Sequence, residues 1–302
     1  TKQNVNMLGS FSWKLIEDLQ FKTEFGLDNY NYLDYRFYGN STYYVQNAPA
    51  ADDQNQPALI INDTKNQRFR NANTLNYDFK KLLKSENSSL SLLVGEEILY
   101  NQSNQVTTTI QGYPEFFDFE QAKNLTTKGN PVSVDNFYSP EDKLLSFFGR
   151  VNYSYKDRYL FTATYRADGS SKFLGDNQWG YFPSAAGAWK ISEENFLKES
   201  SWIELLKLRV SYGEAGNNNI PPGQMVQTFQ SYNSLWINGF DEYTAASKVL
   251  ANPDLTWETS VQQNIGLDFD LWKGVLGGSF EVYKNVTEDL LINFPVPGTG
   301  YD

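Results

Sequence analysis

The sequence contains neither cysteine nor histidine. Without cysteine, the chain has no disulfide framework and no thiolate metal site. Without histidine, it lacks the usual general base and the usual zinc ligand, and it cannot form a serine–histidine or cysteine–histidine nucleophile. Of the common catalytic arrangements, only those built from carboxylates remain.

Positive charge and long apolar runs are also scarce. The chain carries 25 Lys and Arg against 36 Asp and Glu, a formal net charge of −11. This balance argues against a nucleic-acid partner, because phosphate binding depends on clustered Lys and Arg. No stretch approaches about 18 consecutive apolar residues, so no transmembrane helix is predicted. Residues 1–6 show no apolar core of a signal peptide.

Aromatic side chains, in contrast, are abundant. They make up 16% of the residues, although the mean hydropathy is −0.54. From residue 145 the odd positions include Leu145, Phe147 and Val151, whereas the even positions include Arg150 and Asn152. A period of two with one apolar face predicts a β-strand. Low hydropathy, strong alternation and many aromatics together are typical of a membrane β-barrel, in which every second residue meets lipid.

The same alternation predicts about ten strands along the chain. They cover approximately residues 9–15, 19–38, 69–80, 90–109, 145–155, 159–166, 179–191, 206–213, 259–271 and 275–286. A tight turn is predicted at residues 156–158, and a hairpin tip at residues 168–171. Residues 193–205 fit no alternation and predict a short helical link that Ser192 caps.

The predicted links alternate in length. Three long segments, residues 39–67, 110–143 and 216–257, join strands at one end, and short links join them at the other. Such long loops are uncommon in compact soluble domains, but outer-membrane barrels combine short periplasmic turns with long extracellular loops. The predicted fold class is therefore all-β, an antiparallel transmembrane β-barrel, with the turn at residues 156–158 in the periplasm.

Several sequence motifs occur in order over residues 155–291. They are YKDRYLFTATYRADGSSKF at residues 155–173, WGYFPSAA at 179–186, LKLRVSYG at 206–213, NPDLTWE at 252–258, NIGLD at 264–268 and DLL at 289–291. This succession closely resembles the SusC/RagA family of TonB-dependent outer-membrane transporters. Residues 1–154 fit that family by strand pattern more than by motif.

The resemblance implies a barrel of about 22 strands with an N-terminal plug, of the outer-membrane transporter type. It further implies a Bacteroidetes-type outer membrane, a SusD-like surface lipoprotein as a lid, dimers of such pairs, and TonB-energised import of glycans or oligopeptides. No plug, TonB-binding segment or closing strands are recognised in residues 1–302. These residues are therefore expected to form part of one barrel domain, with TonB contacted through an N-terminal region outside them.

Two other classes of function remain open at this point. One is a structural or adhesive outer-membrane barrel that binds ligands at its loops without energy coupling. The other is a soluble β-sandwich lectin, which would have to explain why strand length and aromatic content exceed what a globular sheet needs. A plug and a TonB-binding segment upstream of Thr1 would separate import from adhesion.

Paired carboxylates are the only candidates for catalysis. The pairs are Glu96 with Glu97, Glu193 with Glu194, and Asp52 with Asp53. A glycosidase needs two carboxyl groups about 5 to 9.5 Å apart across a sugar, whereas adjacent strand residues point to opposite faces. We therefore interpret these residues as solvated rim or lumen charges, and we predict no catalytic residue and no enzyme activity.

Aromatic residues in the long loops are the candidate contacts to a ligand or a lid. They are Tyr113, Phe116, Phe117, Trp236, Phe240 and Tyr243. Packing within the loops is the alternative interpretation. Calcium near Asp118 and Glu120 is a further interpretation, but the chain has no Asp-x-Asp-x-Asp loop. No metal site and no cofactor are predicted.

The alternation also assigns a direction to individual side chains. The residues expected to face or rim a water-filled lumen are Arg150, Lys156, Arg166, Lys207, Arg209, Asp268 and Asp270. Those expected against lipid include Phe147, Val151, Phe161 and Val210. Trp13, Tyr153, Tyr159, Trp189 and Tyr212 are expected in the aromatic girdles at the headgroup level.

Overall fold

The computed structural model describes residues 1–46, 55–221, 223–226, 229–233, 242–246 and 250–293, with backbone only for 137–138, 229–233 and 242–246. Strands dominate these residues. They are β1 Lys2–Ile16, β2 Leu19–Tyr38, β3 Ala58–Asp78, β4 Ser88–Gln111, β5 Asn130–Tyr138, β6 Asp142–Tyr155, β7 Tyr159–Ser170, β8 Trp179–Lys190, β9 Ile203–Asn217, β10 Phe229–Asn233, β11 Glu242–Ala246, β12 Glu258–Leu271 and β13 Leu276–Glu288. The helices are short: α1 Tyr43–Gln46, α2 Lys80–Leu83, α3 Phe119–Asn124, and 3-10 helices at Thr126–Lys128, Gly175–Gln178 and Ile191–Glu193.

One sheet contains all strands except β10 and β11. Its order is β1-β2-β3-β4-β6-β7-β8-β9-β12-β13, with β5 paired to β4, while β10 and β11 pair with each other. Neighbours in the order are mostly neighbours in sequence, and the pairs from β6 to β13 are antiparallel. This is the meander that the alternation predicts. Among the described residues, no helix is long and apolar enough to cross a membrane.

The turn between β6 and β7 has the geometry that a twisted hairpin needs. Lys156 and Asp157 both have a φ of 52°, and the Arg158 amide donates to the Tyr155 carbonyl at 3.0 Å. Positive φ at both central residues matches the right-handed twist of the flanking strands. The pairing then runs without a break from Tyr155–Tyr159 to Leu144–Ser170.

The chain divides into two compact units. The first comprises Thr1–Gly9, Phe25–Arg70 and Leu99–Asp142. Its core consists of Leu59, Ile110, Tyr113 and Ala122, with Tyr35, Phe37, Ile61, Phe117 and Phe119 packed against them. In this unit β5 pairs with the end of β4, from Asn104–Tyr138 to Gln111–Asn130.

The second unit comprises Ser10–Glu24, Asn71–Ile98 and Lys143–Asp302. Its core consists of Phe173, Phe182, Met225 and Trp257, with Leu144, Ile220 and Leu255 packed against them. The Trp257 ring lies 5.5 Å from the Phe173 ring and 5.4 Å from the Phe182 ring, centroid to centroid. This core joins the residues that follow β7 and β9 to the wall formed by β8.

The sheet of the second unit has one apolar and one polar face. Residues directly opposite each other in an antiparallel pair lie on the same side of a sheet. The apolar face joins Phe147 to Ala167 and Tyr181, Phe161 to Tyr153 and Gly187, and Val210 to Gly187 and Ile265. The polar face joins Arg150 to Thr164 and Ser184, and Ser211 to Ala186 and Asn264. We refer to these two sides as the apolar face and the polar face.

Several predicted links differ from the structure. β3 begins at Ala58, so the loop predicted at residues 39–67 is shorter, and the loop predicted at residues 110–143 contains α3 and β5. The helical link predicted at residues 193–205 is wrong: a 3-10 turn and hydrogen-bonded turns lead into β9, and Ser192 lies inside that 3-10 turn. The tip predicted at residues 168–171 is displaced, because Asp168 and Ser170 belong to β7 and the chain reverses at the Gly175–Gln178 turn.

Candidate functional site

The polar face carries the charged side chains that the sequence assigns to a lumen. Arg166 is the centre of one network on β7. Its Nε donates to both oxygens of Asp168 at 2.8 and 2.9 Å, and its Nη2 donates to Ser146 Oγ at 2.8 Å and to Glu97 Oε2 at 3.2 Å. The guanidinium also lies 5.4 Å from the centre of the Phe148 ring. Four hydrogen bonds and a ring hold this cation in one orientation on the wall.

A second network connects β9, β12 and β13. Arg209 Nε and Nη2 donate to the two oxygens of Asp268, each at 2.8 Å, and Nη2 also donates to Glu281 Oε1 at 2.5 Å. Lys207 lies 4.0 Å from the same Asp268 carboxylate. The planar guanidinium fits a carboxylate with two parallel hydrogen bonds, so the three strands are joined by a geometrically specific contact.

Between these charged networks the polar face is concave and uncharged. A depression of about 480 Å³ is lined on this face by Thr162, Ser184, Ser211, Gln262, Asn264, Tyr283 and Asn285, with Ala186 and Gly213 among them. The small residues leave space in the middle of the depression, and hydroxyl and amide groups surround that space. Such a surface can exchange hydrogen bonds with a neutral polar molecule without desolvating a charge.

The candidate loop aromatics of the first unit lie close together. Tyr113 is fully buried, Phe117 packs on it with ring centroids 5.8 Å apart, and Phe116 is 77% exposed. Burial raises the pKa of the Tyr113 phenol, whose hydroxyl has no hydrogen-bond partner among the described residues. Of these three, Phe116 is therefore the side chain presented to solvent, and Tyr113 supports the loop from within.

The remaining candidates lie in the longest loop. Trp236 and Phe240 are outside the described residues. Tyr243 belongs to β11, where it pairs with Tyr232 of β10. The structure therefore places Tyr243 on a two-stranded ribbon and leaves the direction of its side chain undescribed.

The link between β8 and β9 contains a further network. Glu194 accepts hydrogen bonds from Tyr159 Oη at 2.6 Å, Trp189 Nε1 at 3.0 Å and Arg158 Nη1 at 3.3 Å. The bond from Tyr159, followed by that from Trp189 and the charge of Arg158, lowers the pKa of the Glu194 carboxyl. Three donors on one carboxylate tie this link to the ends of β7 and β8.

Neither of the two carboxylate pairs that the structure describes has the geometry of a catalytic pair. Glu97 is bound to Arg166, whereas Glu96 accepts from Asn73 Nδ2 at 3.2 Å on the other side of β4. Glu194 is held by three donors, and its neighbour Glu193 lies in the preceding 3-10 turn. Asp52 and Asp53 lie outside the described residues.

Comparison with known proteins identifies the family to which this chain belongs. Residues 2–302 match the family model described as TonB dependent receptor-like, beta-barrel. The chain belongs to this family. The match covers both compact units, including residues 1–154, for which the sequence provides a strand pattern but few motifs.

Two curated TonB-dependent receptors illustrate the relationship. Receptor P39 of Formosa agariphila is 34% identical over 289 residues, which are 95% of this chain and 26% of that receptor. SusC of Bacteroides thetaiotaomicron is 40% identical over 169 residues, 55% of this chain and 17% of SusC. The resemblance to SusC is confirmed, and the chain spans about a quarter or less of the length of these relatives.

Solved structures agree with this assignment. The RagAB peptide transporter matches with a TM-score of 0.83 and 24% identity, over 99% of this chain and 32% of the other. The RagAB peptide importer in its open-open state matches with a TM-score of 0.78 and 25% identity, over 98% and 31%. The fold is that of a TonB-dependent receptor barrel, which confirms the predicted fold class.

Membership in this family indicates what each face of the sheet contacts. A TonB-dependent receptor lies in the bacterial outer membrane, and so does this chain. The apolar face, with Phe147, Phe161 and Val210 each about half exposed, is the side that meets lipid. The polar face is the side toward the lumen, and the soluble lectin interpretation is wrong.

The sequence did not identify the aromatic core Phe173–Phe182–Trp257. Phe173 and Phe182 lie on either side of the Gly175–Gln178 turn, and Trp257 lies much later in the chain. Alternation within a single strand therefore gave no signal for their contact. Two glycines are the local signal that was available: a Cβ at Gly180 would lie 2.4 Å, and one at Gly216 2.0 Å, from Cζ of Phe182. Gly180 lies two residues before Phe182 in β8, and Gly216 lies on the neighbouring β9. A glycine within a strand often marks a place where another group approaches the backbone closely.

Proposed function

We propose that this receptor imports bulky polar nutrients, glycans or oligopeptides, across the outer membrane with energy from TonB. The observation that carries the proposal is the polar face: an uncharged depression between two fixed ionic networks, on the side of the sheet opposite lipid. A wall of hydroxyl and amide groups suits a molecule that carries many hydrogen-bonding groups and passes without being trapped by a free charge.

The proposed partners follow from the relatives rather than from this chain. RagAB is a peptide transporter, and SusC is a TonB-dependent receptor. We infer that the complete protein pairs with a SusD-like surface lipoprotein, that two such pairs associate, and that TonB binds an N-terminal region of the complete protein. Substrate and lid contacts are proposed at Phe116, Phe117, Trp236, Phe240 and Tyr243, with Tyr113 as the buried support of the first two.

A non-transporting adhesive barrel is the second candidate function. The exposed Phe116 in a loop favours it as much as it favours import, because a loop contact alone needs no energy coupling. The two functions differ in where bound ligand ends: an adhesin keeps it at the surface, whereas an importer moves it into the periplasm.

The decisive experiment measures uptake rather than binding. Cells with the gene, without it, and with the gene but without functional TonB are given labelled oligosaccharides and labelled oligopeptides. Import predicts periplasmic label in the first cells alone, and the class of label identifies the substrate. Surface label that is equal with and without TonB, and no periplasmic label, would establish the adhesive function instead.

A further inference from the structure

The strand β5 has an edge that the transport proposal does not use. The strand belongs to the first compact unit, and within the described residues it pairs with β4 alone. An unpaired strand edge presents a row of free backbone N–H and C=O groups, and natural proteins usually cover or interrupt such an edge. The second edge of β5 is therefore a surface to which another extended chain can pair.

The pairing of β4 with β5 determines which backbone groups are free. The Ser139 amide donates to the Ser103 carbonyl at 3.3 Å, and the pairing runs without a shift from Asn104–Tyr138 to Thr109–Ser133. In an antiparallel pair, residues whose N–H and C=O bond to the partner alternate with residues whose groups point away. The backbone groups that point away from β4 are therefore those of Val134, Asn136 and Tyr138.

The start of β5 limits the length of this edge. Pro131 has no N–H to offer, and the register shifts beside it, between Thr109 and Ile110. The regular unpaired run therefore extends over residues 134–138. We call these residues the open edge of β5.

The side chains beside the open edge are apolar and exposed on one side of the sheet. Val132 is 53% and Val134 66% exposed. Val134 lies opposite Thr108, so it shares the side of the sheet on which Ile110, two residues further along β4, enters the core of this unit. A strand added here would extend that side and bring every second side chain next to Val134.

The chemistry of the open edge selects a polypeptide as its ligand. An extended polypeptide repeats N–H and C=O groups at the spacing of a strand edge, whereas a glycan carries hydroxyl and ether groups without that repeat. In strand addition, main-chain hydrogen bonds supply affinity, and side chains supply specificity. The free groups here belong to the backbone, so peptides of different sequence can bind. This breadth suits an importer of mixed oligopeptides more than one dedicated protein partner.

We propose that the open edge of β5 captures oligopeptides by strand addition before they are imported. The inference rests on the proposed function and, within it, selects oligopeptides rather than glycans as the substrate class. The bound peptide lies extended along β5. Its carbonyls accept from the amides of Val134 and Asn136, its amides donate to their carbonyls, and its alternate side chains contact Val134.

Binding of peptides to the purified complete receptor tests the site. The probe is a pool of fluorescein-labelled short peptides of random sequence, and binding is followed by fluorescence anisotropy. Val134→Pro removes an N–H that points away from β4 and leaves the β4–β5 hydrogen bonds in place, so we expect severalfold weaker binding. Val134→Thr is the matched control, because it keeps the N–H and nearly the same side-chain shape, and it should bind like the wild type. Equal binding by the two variants, or no binding of the pool to the wild type, would overturn the proposal.

Hydrogen exchange at single residues tests the edge without a substitution. The amides of Val134 and Asn136 should exchange fast in the free receptor and become protected when the peptide pool is added. The amides of Ser133 and Asp135, which face β4, should be protected in both states and also in Val134→Pro. Protection of Val134 and Asn136 before peptide is added would show that another segment covers the edge, and this result would also overturn the proposal.

Uptake by cells separates this proposal from the proposed import. We expect Val134→Pro to reduce TonB-dependent uptake of labelled peptides severalfold. Equal peptide uptake by this variant and the wild type, or uptake of oligosaccharides alone, would overturn strand addition and leave import intact. Peptide that binds the wild type but not Val134→Pro, without periplasmic label, would support the site and contradict import.

Discussion

At the scale of single residues, the direction in which a side chain leaves its strand decides what a substitution does. Val210 is 49% exposed on the apolar face, opposite Ile265. Val210→Arg places a guanidinium against lipid and should cost roughly 2 to 4 kcal/mol if the position is near the bilayer midplane. The measurement is a denaturant titration of the complete receptor folded into lipid vesicles.

Gln262→Arg is the control for this substitution. Gln262 is exposed on the polar face of β12, so the same new charge meets water there. It should change stability far less than Val210→Arg. Equal costs at the two positions would show that the assignment of the faces is wrong.

A second prediction at this scale concerns close packing around Phe182. The ring is buried, and a Cβ at Gly216 would lie 2.0 Å from its Cζ. Gly216→Ala therefore forces the ring or the strand to shift and should cost about 1 to 3 kcal/mol. Gly187→Ala is the control in the same titration, because its Cβ would meet nothing closer than the Leu160 carbonyl at 3.9 Å. A harmless Gly216→Ala would contradict the packing of Phe182.

At the scale of elements, the link between β8 and β9 depends on an ionised carboxylate. The pKa of Glu194 is lowered from its ordinary value of 4.5 by the Tyr159 hydrogen bond, the Trp189 hydrogen bond and the Arg158 charge. A lowered pKa in the folded state stabilises the link above pH 4.5, and this stabilisation is lost as the pH falls through the folded-state value. The protection factors for hydrogen exchange in residues 191–202, which correct each rate for the intrinsic rate at that pH, should therefore fall below about pH 4.5.

Glu194→Gln should remove this dependence on pH, so that the protection factors in the link are low at every pH. Glu193→Gln, in the exposed neighbour, should preserve it. Identical profiles for the wild type and Glu194→Gln would show that the three hydrogen bonds do not stabilise the link.

The helix α3 gives an element-scale prediction about metal. The Asp118 side chain accepts from the Gln121 amide at 2.8 Å, and the Gln121 side chain accepts from the Asp118 amide at 3.0 Å. This capping box uses the Asp118 carboxylate, which is the group that the sequence suggested as a calcium ligand. Asp118→Ala should destabilise the helix by about 1 kcal/mol, seen as faster hydrogen exchange in residues 119–124. Removal of calcium with EDTA should leave that exchange unchanged, whereas faster exchange after EDTA would indicate a metal site.

Alternation predicted the wall strands well because each has one side in lipid and one side in water. The predicted strand at residues 259–271 and β12 Glu258–Leu271 differ by one residue at the start. The prediction failed where both faces of a strand meet water or protein. β5 begins with Asn130-Pro131, and the first part of β3 mixes Ile61 with Asn62 and Asp63, so neither shows a simple period of two.

The candidate site was predictable only in part for a similar reason. The sequence placed Arg209 and Asp268, two side chains of opposite charge, on the water-facing sides of two predicted strands. Their bidentate contact depends on the β9–β12 register, in which Arg209 lies opposite Gly266 and Lys207 opposite Asp268. The hydrogen bonds that link Asn71, Asn73 and Glu96 appeared in the sequence only as an interruption at Glu96, because they depend on how β3 and β4 align.

At the scale of the whole molecule, the chain matches about a quarter of the length of a curated TonB-dependent receptor. Under the proposed function, its two faces separate lipid from a transport path. Gln262 and Ile265 test this separation within one strand, since they lie on opposite faces of β12. The chain has no cysteine, so a single cysteine at either position is a defined label site within these residues.

The most direct measurement is uptake of labelled substrate before and after a bulky, water-soluble maleimide reacts with each cysteine variant of the complete receptor. We predict that Gln262→Cys is modified and that its modification reduces uptake severalfold. Ile265→Cys should resist the water-soluble reagent and keep its uptake. Unchanged uptake after complete modification of Gln262→Cys, or ready modification of Ile265→Cys, would contradict the account of this wall as part of an importer.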